Sequence, residues 1–304
     1  MKSVNYSQVE ITAESSIKSG NETLDKFFST EGGLIESSSI FLTGTSGAGK
    51  TTFSITLQKL FEDYKTVFYS REMSSSSVKR LISRYNIDNV SNAYIADRES
   101  CPNIKTFIDE LDKLSPKVVI IDSLQFIIKE DYVGTSVDSA IFDVIQKLRG
   151  WTSKNNAVLI VVGHVTKDGD FEGKNTIQHM FDAHIEMIFD KKKNTRTISW
   201  AKNRFGAVGN ILHYVFGKNS MEFYTEEEFE QTKNQKKVED YIFEMIIKFL
   251  ENFPKKDEKF KSFKNELTTK IKDFIKSKGK VSDFDLGFEA VGILKSLIKK
   301  YNLK

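Results

Sequence analysis

The sequence has almost none of the residues that cross-link small proteins or hold structural metals. Its 304 residues include one cysteine, Cys101, which rules out a disulfide framework within the chain and a four-cysteine zinc module. The four histidines are scattered and form no pair at the spacing of metal ligands. These features predict a protein of a reducing compartment, the cytoplasm.

Long apolar runs are also lacking. No run approaches the roughly 18 apolar residues that a membrane-spanning helix needs. Residues 1–15 contain no apolar segment of the kind found in signal peptides, so we expect no membrane association. Hydrophobic residues still make up 39% of the chain, which suits a sizeable core in one large domain plus a small one.

Charge is unevenly distributed, although the net charge is only +3. Residues 231–304 hold 18 lysines, no arginine and 11 acidic residues, so this segment carries +7. Residues 1–230 therefore carry −4, the difference between the whole chain and this segment. The sequence predicts a slightly acidic body followed by a basic C-terminal segment.

One glycine-rich stretch has a recognisable chemistry. Residues 44–51 read GTSGAGKT and fit the pattern G-x-x-x-x-G-K-[ST] of a phosphate-binding loop. The run before it, residues 39–43, is apolar and β-prone, and residues 51–60 carry apolar positions at helical spacing. A strand, a glycine-rich loop and a helix in this order form the context in which the motif binds phosphate. We therefore predict a nucleotide triphosphatase, or at least a nucleotide-binding site, with Mg²⁺ as the accompanying metal.

The residues of this site have separate expected roles. The glycines let backbone N–H groups point toward phosphate oxygens, Lys50 places a positive charge on the β- and γ-phosphates, and the Thr51 hydroxyl is a ligand for Mg²⁺. Asp122 ends a β-branched run and is the expected second Mg²⁺ partner. The predicted nucleotide-binding residues are Gly44, Thr45, Ser46, Gly47, Ala48, Gly49, Lys50, Thr51 and Thr52.

The remainder of residues 39–230 alternates between strand and helix patterns, which predicts an α/β fold with a mostly parallel sheet. We predict strands at 65–70, 93–96, 118–123 and 157–162, and helices at 74–85, 104–114 and 136–153. Three further β-like runs, at 184–189, 195–201 and 211–216, predict antiparallel additions to the sheet. A turn is expected at 202–206.

The two ends differ from this core. Residues 1–38 are polar and predict an N-terminal arm with a short helix at 23–28. Within residues 231–304, apolar residues recur every three to four positions in three stretches, which predicts a small all-α C-terminal module. Its lysines fit solvated helix faces or, as an alternative, a nucleic-acid surface. The predicted domains are therefore 1–38, 39–230 and 231–304.

Four stretches together resemble the RecA-like ATPases, and most closely the bacterial RadA (Sms) branch. They are GTSGAGKTT at 44–52, VVIIDSLQ at 118–125, GHVTKDG at 163–169 and KNRFG at 202–206. The last two are the most specific for RadA, whereas FYSREMS at 68–74 is similar to DnaB-type helicases. The resemblance covers residues 15–220 and implies a RecA-like P-loop NTPase core.

The resemblance also implies roles for residues outside the phosphate-binding loop. Glu72 matches the family's catalytic glutamate, and it ends a strand that we expect to lie beside the phosphate-binding loop. Lys202 and Arg204 match positions that, in related rings, reach the ATP of a neighbouring subunit as an arginine finger does. His164 matches the residue that senses the γ-phosphate.

Residues 165–176 correspond to the DNA-facing loops of the family. Lys167 and Lys174 are expected to follow the backbone of single-stranded DNA without reading its sequence. The chain departs from the family because it lacks the four-cysteine module and Lon-like domain of RadA and the N-terminal helical domain of DnaB. The C-terminal helices are a candidate site for a protein partner in their place.

These observations predict an ATP-dependent DNA motor, a homo-oligomeric and hexameric ring that translocates on or unwinds single-stranded DNA in replication, recombination or repair. A RecA-like strand-exchange recombinase is the first alternative, although only one DNA loop is recognisable. A KaiC-like regulatory ATPase, which would not bind DNA, is the alternative from another class. A small-molecule kinase fits least, because it gives Lys202 and Arg204 no role.

Overall fold

The computed structural model describes residues 15–163, 176–217, 221–233, 258–277, 292–293 and 295–301. The chain divides into two compact units, residues 1–225 and residues 226–304. The predictions for His164, Lys167 and Lys174, and for the first helix of the C-terminal module, lie outside the described residues.

A nine-stranded sheet is the centre of the first unit. Two short strands, β1 (Ser16–Ile17) and β2 (Leu34–Ile35), pair separately. The strands of the large sheet are β3 (Ser39–Gly44), β4 (Thr66–Ser70), β5 (Ala93–Ala96), β6 (Val118–Asp122), β7 (Val158–Val162), β8 (Ala183–Asp190), β9 (Thr195–Asn203), β10 (Ile211–Phe216) and β11 (Met221–Tyr224). Their order across the sheet is β11-β10-β9-β8-β3-β7-β6-β4-β5.

Helices connect these strands along the chain. They are α1 (Glu22–Phe28), α2 (Lys50–Leu60), α3 (Ser75–Arg84), α4 (Ile104–Leu114), α5 (Leu124–Asp131), α6 (Val137–Lys154) and α7 (Thr176–His179). Helical residues 226–233 (α8) and helix α9 (Glu258–Ser277) follow in the second unit. Among the described residues, every helix is too short or too polar to serve as a bilayer-spanning segment.

The hydrophobic core lies on both faces of the large sheet. Alternate residues of a strand point to opposite faces, so Ile40 and Leu42 belong to one buried cluster and Phe41 to the other. Every residue of β6 and β7 is buried, as expected for β-branched strands in the middle of a parallel sheet. The predicted α/β fold with a mostly parallel sheet is therefore confirmed.

Two details of the predicted sheet are wrong. Strand β8 runs parallel to β3, so the antiparallel part of the sheet begins only with β9. Strand β9 continues to Asn203, so Lys202 and Asn203 lie in a strand rather than in a turn. The strand is longer because it pairs with Ala183 and His184 beyond a register shift, which a polar sequence does not reveal.

Residues 15–38 pack against this sheet. The helix predicted at 23–28 is α1, whose Phe27 ring stacks on the indole of Trp200 with centroids 5.1 Å apart. The Trp200 Nε1–H donates a hydrogen bond of 2.6 Å to the Phe27 carbonyl oxygen. Leu24 and Phe28 are buried in the same cluster, so this segment contributes to the core.

The second unit contains a helical pair among its described residues. Phe263 and Leu267 form the buried side of α9, at the spacing of one helical turn. The Phe263 and Tyr301 rings meet edge to face with centroids 5.8 Å apart. Glu266 accepts hydrogen bonds of 2.7 Å from the Lys300 ammonium and the Tyr301 hydroxyl, which joins α9 to the helical residues 295–301.

Candidate nucleotide-binding site

The phosphate-binding loop follows directly from the C-terminal end of β3. Gly47 and Gly49 have φ values of 80° and 94°, a backbone conformation that side-chain-bearing residues rarely adopt. A Cβ atom at Gly49 would overlap the Phe216 ring. The Thr45 N–H donates to the Met187 carbonyl oxygen at 3.0 Å, which fixes the start of the loop to β8. The glycines of the motif are therefore required by geometry as well as by phosphate binding.

Helix α2 begins in a way that suits an anion. Gly49 is its N-cap residue, no side chain caps it, and its first turn contains no acidic residue. By contrast, α3 and α6 have Ser74 and Ser136 as N-caps, whose side chains accept backbone N–H groups. The first N–H groups of α2 and the positive end of its dipole are thus available to phosphate oxygens. Ser46, Ala48 and Thr52 belong to this loop and first turn.

Lys50 lies beside the loop with only 8% of its surface exposed. Its ammonium donates to the Gly44 carbonyl oxygen at 2.8 Å. Burial lowers the pKa of Lys50, and the negative charges of Asp122 and Glu72 oppose this effect. The structure therefore brings Lys50, Asp122 and Glu72 into one electrostatic neighbourhood.

Thr51 and Asp122 form the candidate metal site. The Thr51 hydroxyl donates to Asp122 Oδ2 at 2.6 Å, and Asp122 is buried at the end of β6. A hydroxyl and a carboxylate next to a phosphate-binding loop are the hard oxygen donors that Mg²⁺ prefers, so the residues fit this ion. Bound Mg²⁺ would neutralise negative charge on the nucleotide phosphates.

Glu72 lies in the bend after β4 and is exposed. Our expectation that its strand lies beside that of the phosphate-binding loop is wrong, because β7 and β6 separate β4 from β3. Crossover connections in parallel sheets allow later strands to insert between earlier ones. Ser70 pairs with Asp122, so Glu72 follows two residues beyond the level of the metal-site aspartate.

Lys202 and Arg204 lie at the other end of the strands from the phosphate-binding loop, where β3 and β8 begin. The Lys202 ammonium donates to the Phe181 carbonyl oxygen at 2.5 Å, and the Arg204 guanidinium lies 3.2 Å from Asp182 Oδ1. Both partners precede the first residue of β8. The structure therefore does not bring these two cations together with the phosphate-binding loop of the same chain.

The sequence profile of the AAA domain family matches residues 15–170. This match covers just over half of the chain and contains the phosphate-binding loop, Glu72 and Asp122. The chain belongs to the AAA domain family. The strands that carry Lys202 and Arg204 lie beyond the matched residues.

Curated relatives of this AAA domain protein are named "DNA repair protein RadA". The protein from Streptococcus pyogenes serotype M1 is 29% identical over 182 residues, and the protein from Escherichia coli K12 is 30% identical over 182 residues. Each alignment covers 59% of this chain and 39% of the relative, so the chain spans well under half the length of these relatives. The predicted resemblance to RadA is confirmed.

Solved structures support the RecA-like fold. A KaiC-like protein from Pyrococcus horikoshii OT3 superposes with a TM-score of 0.57 at 18% identity, covering 69% of this chain and 99% of that chain. The RadB recombinase superposes with a TM-score of 0.53 at 18% identity, covering 67% and 98%. The AAA domain protein therefore has a RecA-like fold and is related to RadA in sequence.

Three further residues near these sites were not predicted from the sequence. Asp182 accepts hydrogen bonds from the Ser39 hydroxyl and from Arg204, and His184 Nε2 lies 2.7 Å from the Thr43 hydroxyl. Arg71 is buried next to Glu72. The only signal for Arg71 was a charged residue directly after an apolar strand, which is ambiguous, and nothing in the sequence distinguished the other two.

Proposed function

We propose that this protein is an ATP-dependent DNA motor that hydrolyses ATP with Mg²⁺ and moves along or unwinds single-stranded DNA as a homo-oligomeric, hexameric ring. The observation that carries the proposal is the separation of Lys202 and Arg204 from the phosphate-binding loop of their own chain. A site whose cations come from a second copy couples hydrolysis to assembly. Residues 39–230 would form the motor core and residues 231–304 a helical accessory module that contacts a protein partner.

The proposed chemistry uses the residues that lie where the parallel strands end. Loop N–H groups other than those of Thr45 and Ala48, together with those of the first turn of α2, hold the phosphates, and Lys50 neutralises charge at the β- and γ-positions. Glu72 would orient and polarise the attacking water, because it follows two residues beyond the level of Asp122 and its charge acts on Lys50. His164 would sense the γ-phosphate.

Distances across the sheet support a finger that acts in trans. Lys202 pairs with His184, and His184 pairs with Phe41, which precedes Gly44 by three residues. Strand geometry puts the Lys202 backbone about 10 Å from Gly44 along the strands and about 10 Å across them. The Lys202 side chain extends further away, toward Phe181. An ATP bound to a neighbouring copy is therefore the nucleotide that Lys202 and Arg204 would meet.

The names of the RadA relatives, DNA repair proteins, support DNA as the partner. Lys167 and Lys174 would follow the phosphate backbone, since lysines in a glycine-bearing loop provide charge without base readout. Aromatic residues are nearly absent from residues 165–176, where Phe171 is the one ring available for base stacking. Backbone tracking therefore fits this loop better than stacking.

The ATPase rate without DNA, with single-stranded DNA and with duplex DNA tests the proposal. We expect single-stranded DNA to stimulate hydrolysis strongly, and the stimulation to fade as salt rises because phosphate contacts release counterions. Lys50→Ala is the control for contaminating ATPases, and this variant should show no ATP hydrolysis with or without DNA. A real basal rate that no DNA changes would contradict the DNA motor and favour a regulatory ATPase. If DNA stimulated hydrolysis and the protein paired DNA strands without unwinding a duplex, the strand-exchange recombinase would be favoured.

A further inference from the structure

Arg71 is an arginine buried beside an exposed glutamate. Its side chain is 2% exposed, whereas Glu72 is exposed at the C-terminal edge of the sheet. Burying a guanidinium costs several kcal/mol unless its donors and its charge are satisfied. An apolar residue would continue the buried strand β4 at a lower cost, so the core alone does not require an arginine here.

Every nitrogen of the Arg71 guanidinium has an acceptor. Nε and Nη2 both donate to Glu130, and Nη2 also donates to Asp131 Oδ1 at 3.1 Å. Nη1 donates to the Tyr69 hydroxyl at 2.9 Å and to the Pro102 carbonyl oxygen at 2.7 Å. These contacts use the planar, forked geometry of arginine, which a lysine ammonium cannot reproduce.

The acceptors come from three separate parts of the fold. Glu130 and Asp131 end α5, the helix that begins directly after the metal-site strand β6. Asp131 also accepts the backbone N–H of Ile104, the first residue of α4, at 2.7 Å. Pro102 belongs to the loop between β5 and α4. Arg71 therefore joins the end of β4 to the end of α5 and to the loop before α4.

The backbone on both sides of Glu72 is held in place as well. The Arg71 N–H donates to the Asp122 carbonyl oxygen at 3.1 Å, and the Met73 N–H donates to the Ser70 hydroxyl at 3.2 Å. The residue before Glu72 is thus tied directly to the metal-site aspartate. These bonds fix the point from which the Glu72 side chain leaves the sheet.

We infer that Arg71 is a positioning residue for Glu72, which keeps its carboxylate in register with Asp122 and the phosphate-binding loop. The inference rests on the catalytic role proposed for Glu72. A general base that is displaced by about 1 Å can lose up to about 10²-fold in rate, so a rigid support for this residue has a direct functional value.

Arg71→Lys tests the inference, because it keeps the buried positive charge and removes the forked hydrogen bonds. We expect kcat for ATP hydrolysis to fall about tenfold, since Glu72 loses its fixed position. The dissociation constant for a fluorescent ATP analogue should stay within about twofold of the original, since the phosphate-binding loop is untouched. A loss of nucleotide affinity that matched the loss of rate would contradict a positioning role.

Arg98→Gln is the matched control. Arg98 also contacts Glu130, at 3.1 Å, but it does so from the surface with 67% of its side chain exposed. Its replacement should leave kcat unchanged. If Arg98→Gln lowered kcat as much as Arg71→Lys does, Glu130 rather than Arg71 would be the responsible group and the inference would be wrong.

A double-mutant cycle with Glu72→Gln separates the inference from the proposed function. If Arg71 acts through Glu72, Arg71→Lys should change the residual rate by less than about twofold in the Glu72→Gln background. A full tenfold loss in that background would overturn the inference and leave the role of Glu72 intact. An unchanged kcat in Glu72→Gln alone would instead overturn the proposed function. If Arg71→Lys does not fold, Tyr69→Phe, which removes an acceptor of Arg71 Nη1, takes its place in the same cycle.

Discussion

His184 connects the strand of the phosphate-binding loop to the strand of the proposed finger. It lies in β8, with Nε2 2.7 Å from the Thr43 hydroxyl on one side, and it pairs with Lys202 on the other. Its ring also packs on Phe41 with centroids 5.3 Å apart. Burial, and to a smaller extent the charge of Lys202, lowers the pKa of His184 to about 4. The imidazole is therefore neutral in the folded protein at physiological pH.

This lowered pKa predicts a pH dependence of stability. The unfolded chain binds a proton near pH 6.5 that the folded protein does not bind until about pH 4, so stability is fully present above pH 6.5 and decreases below it. The decrease from this one group amounts to about 3 kcal/mol by pH 4. Urea unfolding at several pH values measures it.

The His184→Gln variant is the control for that measurement. Glutamine keeps a polar side chain next to Thr43 and does not titrate, so the variant should show a shallower loss of unfolding free energy between pH 6.5 and pH 4. Equal pH slopes for the two proteins would contradict a buried, neutral His184.

At the level of elements, the junction of β3 and α2 depends on Gly49. Its φ of 94° and the Phe216 ring against it both exclude a side chain. We expect Gly49→Ala to lower the free energy of unfolding by about 1–3 kcal/mol and to weaken ATP binding, because the loop must move to relieve the overlap. Denaturant unfolding and nucleotide titration measure the two effects.

Gly150 offers a matched control in the same unit. It lies inside α6, and nothing is within 4 Å of a Cβ built on it. Gly150→Ala should therefore stabilise the protein by about 0.5–1 kcal/mol through helix propensity, with ATP binding unchanged. If both substitutions had the same effect, the special geometry of the phosphate-binding loop would be disproved.

The sequence predicted most elements but not their arrangement. The loop after β3, strand β6 and the place of Asp122 at its end were predictable because the glycine pattern and the short run of β-branched residues each favour one local structure. The position of β4 in the sheet was not predictable, since strand order depends on crossover connections that leave no local signal in the sequence. Helix α5 was missed because it is short and follows the metal-site strand without a side-chain cap. The Arg71 contacts depend on residues 59 and 60 positions away, beyond any local pattern.

At the scale of the whole molecule, one chain carries the two halves of the proposed ATPase site at opposite ends of its parallel strands. The phosphate-binding loop, Asp122 and Glu72 lie at the edge where β3, β6 and β4 end. Lys202 and Arg204 contact residues at the edge where β8 begins. In the proposed assembly two such halves meet when copies associate head to tail, an arrangement that gives a ring if the rotation closes and a filament if it does not.

Subunit mixing tests this account most directly. Lys202→Ala and Glu72→Gln subunits, each expected to keep only a small residual rate alone, are combined at equal concentrations and the ATPase rate is measured. If assembly is random, about a quarter of the interfaces pair an intact Glu72 with an intact Lys202 from the neighbour, so about a quarter of the original rate should return. Mixing Lys202→Ala with the double variant supplies no intact Lys202 and should give no recovery. Failure to recover activity at any ratio of the two single variants would contradict a finger that acts between subunits.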